Sequence, residues 1–254
     1  VAAAAAIVYL GALWNRFALD DNPVVLFNPL FQAHGAVWRA FFTSYWPPNV
    51  GGGLYRPLAI ASYALDWTIG QATWFHAMNV VWHAAASVMV AVLVRRWSGD
   101  RAALVCGLLF AVHPVHVEAV ANIVGRAELM AALFALLAVY AALGRDSVGW
   151  SAAALVAGLL SKENAAVVPG LIAWGWMLGV ARPSRRRMLG YAASWIAVAA
   201  VYAVTRHTIL NPLARIENLA PVFVWASAWQ VRLTAVAAFA DVARLLVFPL
   251  TLRV

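Results

Sequence analysis

An all-α, multipass bundle of transmembrane helices is the architecture expected of this chain, and three observations carry the expectation. Hydrophobic residues fill 65% of its 254 positions and charged residues only 11%, with a mean hydropathy of +0.80, whereas soluble domains average about half apolar and a quarter charged. The apolar residues fall in runs at or near the roughly 17 to 25 residues that a helix needs to cross a hydrocarbon core. Short arginine-rich loops separate the runs, as the orienting loops of multipass proteins do.

Val1 to Leu13 reads as a first span. A signal peptide is the alternative, but no small-residue cleavage pattern precedes "NRFALDDNP". Residues 15–74 then form a loop several times the usual length, which points to function or internal structure. Within it, "FQAHGAVWRAFFTSYW" and "YRPLAIASYALDWTIG" are expected to lie along the membrane interface as short helices. "PPNVGGG" forms the flexible tip between them. Further spans are expected at Ala77–Val94, Ala102–Val112, Leu129–Leu143, Val148–Leu160, Ala165–Ala181 and Met188–Thr205. The stretch 219–254, holding Arg232, Asp241 and Arg244, reads as one span or as a surface helix plus a span. The whole is a single transmembrane domain of about eight spans. Lacking an initiator Met and ending in the apolar "LLVFPLTLRV", the chain reads as part of a longer protein, truncated at both ends.

The formal charge is +8, and seventeen of the eighteen cationic residues are Arg, an Arg usage that fits a GC-rich bacterial genome. These cations are dispersed through the loops, which speaks for membrane topology and against nucleic acid. "RRWSGDR" at 95–101, "GRDS" at 144–147 and "ARPSRRR" at 181–187 alternate correctly with the spans and belong on the cytoplasmic side. Asp20, Asp21, Asp66, Glu118, Glu128, Glu163 and Glu217 then fall on the outer side, with Asp100 and Asp146 inside. Cys106 is the single cysteine, so the chain offers neither an internal disulfide nor a cysteine-based metal site.

The outer segments carry the chemistry. Asp20 and Asp21 follow the first span; adjacent carboxylates suit a turn, or a general base or metal ligand, because like charges held close raise one pKa. "LFAVHPVHVEAVANIVGRAEL" places His113, His116, Glu118, Arg126 and Glu128 in otherwise apolar sequence. His113 and His116 share a helical face at i and i+3, but the stretch lacks the spacing of the helical zinc protease motif. One or two such groups can be helix caps, whereas five near membrane depth read as a functional site facing a polar cavity. Arg126 and Glu128, two residues apart, cannot share a face, so each needs its own partner. Arg126 can hold a phosphate by a forked contact, and Glu128 suits a helix N-terminus. Lys162, the single lysine, lies in "LLSKEN" at an outer turn, either as a local ion pair or as a phosphate ligand. Arg206 is a second phosphate candidate or a snorkelling anchor, and Arg56 in "YRPLA" is an interfacial anchor or an anion contact. His76, Asn79 and His83 form one helical stripe; His83 suits interhelical hydrogen bonding, while His76 and Asn79 are placed to border the site.

In order along the chain, "DDNPVVLFNP", "YRPLAIASYALDWTIG", "FHAMNVVWH", the histidine-rich stretch, "LSKE" and "RLTAVAAFADVARLLVFPLTL" resemble the membrane half of the transmembrane and tetratricopeptide repeat-containing O-mannosyltransferases. More distantly they resemble the wider GT-C glycosyltransferases. The resemblance implies a GT-C bundle with a long first extracytoplasmic loop. It also implies transfer of mannose from a polyprenyl (dolichyl) phosphate to Ser or Thr hydroxyls of an exported protein, and a repeat domain that is not seen in this chain. By position, the family's acidic pair falls on Asp20 and Asp21 and its second-loop acid on Glu118. The expected mechanism is an inverting displacement with Asp20 as base, Asp21 and Glu118 orienting the site or binding a divalent ion (Mg or Mn), and Lys162, Arg126 and Arg206 holding the phosphate. No cofactor is firmly required. The expected partners are the donor lipid, a protein acceptor and the bilayer, with no nucleic acid. The expected location is a bacterial inner membrane, or the endoplasmic reticulum membrane in a eukaryote, with the site on the outer or lumenal face. A multipass transporter or a membrane scaffold is the rival reading; the transporter predicts broken helices in duplicated halves, which the sequence lacks.

Overall fold

The computed structural model describes residues 1–51, 53–211 and 225–247. Among the described residues there is no strand. The α-helices are α1 (Ala2–Val8), α2 (Ala36–Arg39), α3 (Pro57–Trp67), α4 (Ala72–Val112), α5 (Val117–Ala121), α6 (Arg126–Val139), α7 (Val148–Ser161), α8 (Val168–Met177), α9 (Arg185–Leu210) and α10 (Ala228–Val247). Three helical stretches are long and apolar enough to cross a membrane: Ala72–Val112, Ile123–Gly144, which contains α6, and Arg185–Leu210. The chain is therefore an all-α membrane protein. Glu217 and the "FPLTL" segment lie outside the described residues.

At 41 residues α4 would be about 60 Å long if straight, twice the hydrocarbon thickness. It is instead two arms. Gly99 leaves helical geometry at φ 79° and ψ 178°, a conformation that a residue without Cβ adopts freely. A Cβ on Gly107 would sit 2.9 Å from Ala91 Cβ, and His83 Nε2 is 2.9 Å from the Ala111 carbonyl oxygen. Both pairs straddle Gly99, so arms 72–98 and 100–112 run antiparallel, matching two of the apolar runs in the sequence. Ala165–Ala181 differs from expectation. A 3-10 turn at Glu163–Val167 leaves α8 only ten residues, about 15 Å and half a bilayer core.

Small residues set the distances between helices. Gly158 lies so close to α6 and the turn after α7 that an added Cβ would be 2.9 Å from Ala165 Cβ and 3.6 Å from Phe134 Cβ. Ala131, Ala138, Leu155, Ile172 and Tyr191 fill the seam among α6, α7, α8 and α9, the small-residue packing expected where lipid supplies no hydrophobic drive between helices. At one end, Asp146 accepts from the Tyr191 hydroxyl at 3.3 Å and pairs with Arg187 Nε at 3.4 Å, tying the loop at 144–147 to the start of α9. Chain alternation brings the Gly99 turn to this same end, so the three arginine-rich loops lie together.

At the opposite end, the long loop before α4 folds into a cap with its own core, which includes Val24, Val25, Phe31, Ile60 and Tyr63 packed on Phe75 and Ile123. The short helices expected in this loop are present as α2 and α3, and both pack into this core. α3 buries Pro57, Ala59, Ile60, Ala61, Tyr63, Ala64 and Asp66, because its alanines let neighbours approach from several sides and its aspartate needs an internal partner. "FQAHGAVWRAFFTSYW" forms short turns around α2, with Trp38 and Phe42 exposed. The tip is closed by the Tyr45 N–H, which donates to the Leu54 carbonyl at 2.8 Å.

Arg126 joins the cap to the bundle. It is fully buried and ion-pairs with Asp66 of α3. Its Nε donates to Asn79 Oδ1 at 2.9 Å and its Nη2 to the Phe75 carbonyl at 2.8 Å, both on α4. Its guanidinium lies 4.9 Å from the Tyr63 ring centroid, and Trp74 Nε1 donates to the other Asp66 oxygen at 3.0 Å.

Replacing Arg126 by Met leaves Asp66 buried without its counter-charge. The expected loss is about 3–5 kcal/mol, read as a lowered thermal-unfolding midpoint of the detergent-purified protein. Gly125→Ala drives a Cβ to 2.7 Å from the Ala119 backbone Cα, which cannot rotate away. Overpacking of this kind costs about 1–3 kcal/mol, and the same melts test it.

Candidate functional site

Between the cap and the bundle, at the end opposite the arginine loops, a cleft of about 1090 Å³ is lined by Asp20, Arg56, His116, Glu118, Glu128 and Lys162, together with Tyr45, His83, Phe110 and Asn164. Five separate stretches of chain deliver these groups, so the cleft exists only in the folded chain.

Asp20 and Asp21 have different surroundings. Asp20 is exposed in the cleft. Asp21 is buried: its Oδ2 accepts the Ala18 N–H at 3.2 Å and its Oδ1 the Val124 N–H at 2.9 Å. Burial pushes the Asp21 carboxyl above its ordinary value, against the opposing pull of these hydrogen bonds. Between Ala18 and Asp20, Leu19 has φ 45°, a left-handed conformation that costs a β-carbon-bearing residue roughly 1–2 kcal/mol. Asp21 clasps the turn from both sides and so holds Asp20 toward the cleft. Leu54, two residues before Arg56, is the second such case at φ 43°. Strain of this kind concentrates where a fold positions functional side chains.

The two cations of the cleft each have a carboxylate partner. Arg56 makes a forked contact to Glu163, with Nε to Oε2 at 3.0 Å and Nη2 to Oε1 at 2.6 Å, while its guanidinium carbon sits 4.9 Å from the Tyr45 ring centroid. Burial alone would raise the Glu163 carboxyl, but the Arg56 hydrogen bonds and charge outweigh it and hold the group below its ordinary value. Burial pushes the Tyr45 phenol up to about 12, so the ring under Arg56 stays neutral. Lys162 pairs with Glu128 Oε1, and Asn164 Nδ2 donates to Glu128 Oε2 at 2.8 Å.

The histidines gather beside Phe110. The His116 ring centroid is 4.3 Å from that of Phe110 and 5.2 Å from that of His83. Burial first, then the neighbouring His83 and His113, lowers the His116 pKa to about 4, so its ring is neutral at physiological pH. His113 accepts the Val115 N–H through Nδ1 at 3.2 Å, while its Nε2 lies 3.2 Å from the Leu246 carbonyl oxygen of α10.

Several expected site residues are placed elsewhere. Arg126 does not line the cleft, since its donors are committed to Asp66, Asn79, Ser62 and Phe75, and its assignment to phosphate is replaced by a structural one. Asn79 is buried and belongs to that network, with its Nδ2 donating to the Asn122 carbonyl at 2.8 Å. His76 is buried against the Arg16 backbone, and Arg206 is exposed on α9 away from the cleft lining. The expected metal pair of Asp21 and Glu118 does not fit, because Asp21 is directed to backbone amides while Glu118 lines the cleft. Among the described residues no group of three or more His, Cys, Asp or Glu is arranged to hold a metal ion.

Three partners emerge only in the structure: Glu163 for Arg56, Asp66 for Arg126, and Tyr45 beneath Arg56. Asp66 alone carried a usable signal, a lone acid in an apolar helical run, which demands a buried counter-charge. Beside the cleft, an apolar groove of about 420 Å³ runs between α7 and α9, lined by Tyr55, Leu159, Val198, Val201 and Tyr202 among others. Tyr55 borders the groove and the next residue, Arg56, lines the cleft.

Fold and site thus define a multipass helical membrane protein with an ion-paired cleft capped by a folded loop. Its relatives include "Protein O-mannosyl-transferase Tmtc2" of Drosophila melanogaster, 37% identical over 63% of this chain and 19% of that protein. "Protein O-mannosyl-transferase TMTC2" of Mus musculus is 31% identical over 78% of this chain and 22% of its own length. "Protein O-mannosyl-transferase TMTC3" of Homo sapiens is 29% identical over 64% and 20%. The chain is similar to these protein O-mannosyl-transferase TMTC proteins, and it spans about a fifth of the length of each of the three. No protein-family model and no solved structure matches the chain.

His116 gives a pH dependence of defined sign. Its folded pKa of about 4 lies below the ordinary 6.5, so the unfolded chain takes up the proton first and stability falls as pH drops from 6.5 toward 4. His116→Phe is expected to flatten that part of the melting-temperature profile; a profile unchanged from the parent would remove His116 as the cause.

Proposed function

We propose that the cleft transfers a sugar, mannose, from a polyprenyl phosphate carrier to Ser or Thr hydroxyls of exported proteins by a single inverting displacement. One observation carries the reading: an exposed carboxylate and two cations line one cleft, with an apolar groove beside it. The names of the relatives supply the sugar and the protein acceptor.

In this reading Asp20 accepts the proton of the acceptor hydroxyl as its oxygen attacks the anomeric carbon. The bond from that carbon to the phosphate oxygen breaks, and the electron pair leaves on the phosphate. Arg56 and Lys162 face the developing charge, and fixed cations in a site partly withdrawn from water lower such a barrier. Arg56 takes the forked phosphate contact that the sequence suggested for Arg126. Glu118 and the neutral His116 offer hydrogen-bond partners to acceptor or sugar hydroxyls, with the Phe110 ring beside them. The groove between α7 and α9 suits a carrier tail whose phosphate reaches Arg56. With the arginine loops cytoplasmic, the cleft opens on the extracytoplasmic or lumenal face, of a bacterial inner membrane by the composition. No step is routed through a metal ion.

Asp20→Asn keeps the side-chain shape and removes the base. Transfer of radiolabelled mannose from polyprenyl phosphate to an exported acceptor, assayed in membranes, is expected to fall at least about 100-fold while expression and melting temperature hold. Near-parental turnover would remove Asp20 from the chemistry.

A further inference from the structure

Among the described residues, the ion pairs at the cap end of the bundle are of two kinds. Arg126 and Asp66 are sealed, with side-chain exposures of 0% and 8%. The two pairs at the cleft are asymmetric: Arg56 is 11% exposed against 44% for Glu163, and Lys162 is 22% exposed against 41% for Glu128. In each the cation is held inside and the carboxylate stands toward water. Arg56 is further fixed by the Tyr45 ring at 4.9 Å and by its place next to the first residue of α3. Glu128 has a second tether in Asn164. Glu163 sits on the 3-10 turn after α7, hydrogen-bonds Arg56 through both carboxylate oxygens, and also feels the charge of Lys162.

A carboxylate on a guanidinium fork has the same planar two-oxygen geometry as a phosphate on that fork. We propose that Glu163 is an internal stand-in for a phosphate anion, occupying the Arg56 fork until an anionic ligand displaces it. The inference rests on the phosphate reading of the cleft and adds a residue that this reading did not contain. Displacement is favourable because the departing carboxylate is close to half exposed and regains water, whereas the Arg56 guanidinium is mostly withdrawn from water and needs a partner in either state. Such a competitor keeps the fork from standing unpaired between ligands. It also makes a phosphate monoester, such as the carrier phosphate that transfer releases, a better occupant than a singly charged carboxylate or a neutral lipid. Its cost is affinity: every bound anion must first exchange with Glu163, and ligand binding is weakened by the strength of the internal contact.

The test measures equilibrium binding of farnesyl phosphate and, in a separate arm, of inorganic phosphate to the purified full chain in nanodiscs, by intrinsic tryptophan fluorescence. Melting temperature serves as the folding control. Glu163→Gln is expected to tighten binding of farnesyl phosphate about fivefold or more, Arg56→Gln to weaken it, and Arg56→Gln with Glu163→Gln to show no tightening over Arg56→Gln alone. Tightening in both arms identifies phosphate itself as the competitor's target; tightening with farnesyl phosphate only assigns the fork to a lipid-borne phosphate. If Arg56→Gln and Lys162→Gln leave binding unchanged, the phosphate reading of the cleft fails. If they weaken it while Glu163→Gln is neutral or weakening, Glu163 is a positioning partner of Arg56 and the stand-in proposal is overturned with the phosphate reading intact.

Discussion

The polar end of this protein is organised around a guanidinium withdrawn from both water and lipid. Arg126 stands at the start of α6, yet its partners lie on α3 and α4: Asp66 on the first, Asn79 and the Phe75 carbonyl on the second. A charge that cannot reach solvent must be satisfied where it sits, so the three helices have little freedom to rearrange. α3 is fastened near its C-terminal end, and the residue just before its first turn is Arg56. The same side chain that closes the core therefore fixes the helix that presents the cleft's guanidinium. Asn79, while accepting from Arg126, donates to the carbonyl of Asn122 and holds the turn that leads into Glu128.

Asp21 plays the corresponding part on the other wall. Its carboxylate bridges the amides of Ala18 and Val124 across the left-handed Leu19, and the hydrogen bonds together with the cap core hold a backbone that Leu19 alone would abandon. One aspartate is thus buried and holds the turn, and its neighbour is left exposed in the cleft. Two identical, adjacent side chains thus have opposite surroundings, and environment rather than sequence sets them apart.

Elsewhere the bundle relies on small residues. Gly107 against Ala91, and Gly158 against Ala165, bring helices to near contact, and the outward faces remain apolar, as on α9, where Ile196, Val201 and Val204 are exposed. In a lipid solvent these faces need no burial, so shape and hydrogen bonding decide which helices meet. The cap is different: it packs Phe31, Ile60 and Tyr63 in a core as a soluble domain would.

Hydropathy alone located most helices of the bundle, though it overextended α8, and the two apolar runs that fold as arms about Gly99. It could do so because a membrane core imposes length and composition residue by residue. Charge sign sorted the loops into two ends for the same reason. The acids and cations of the site were also legible as a set, since Asp20, Glu118, Glu128 and Lys162 stand out from apolar surroundings wherever the chain places them. Which of them face a common cleft was not legible. The pairs that decide it, Arg126 with Asp66, Arg56 with Glu163, and Asp21 with the Val124 amide, join residues 60, 107 and 103 positions apart. No local period records such distances. Only packing in three dimensions turned Arg126 into a core residue, Asp21 into a clasp, and Arg56 into the cation that faces the cleft.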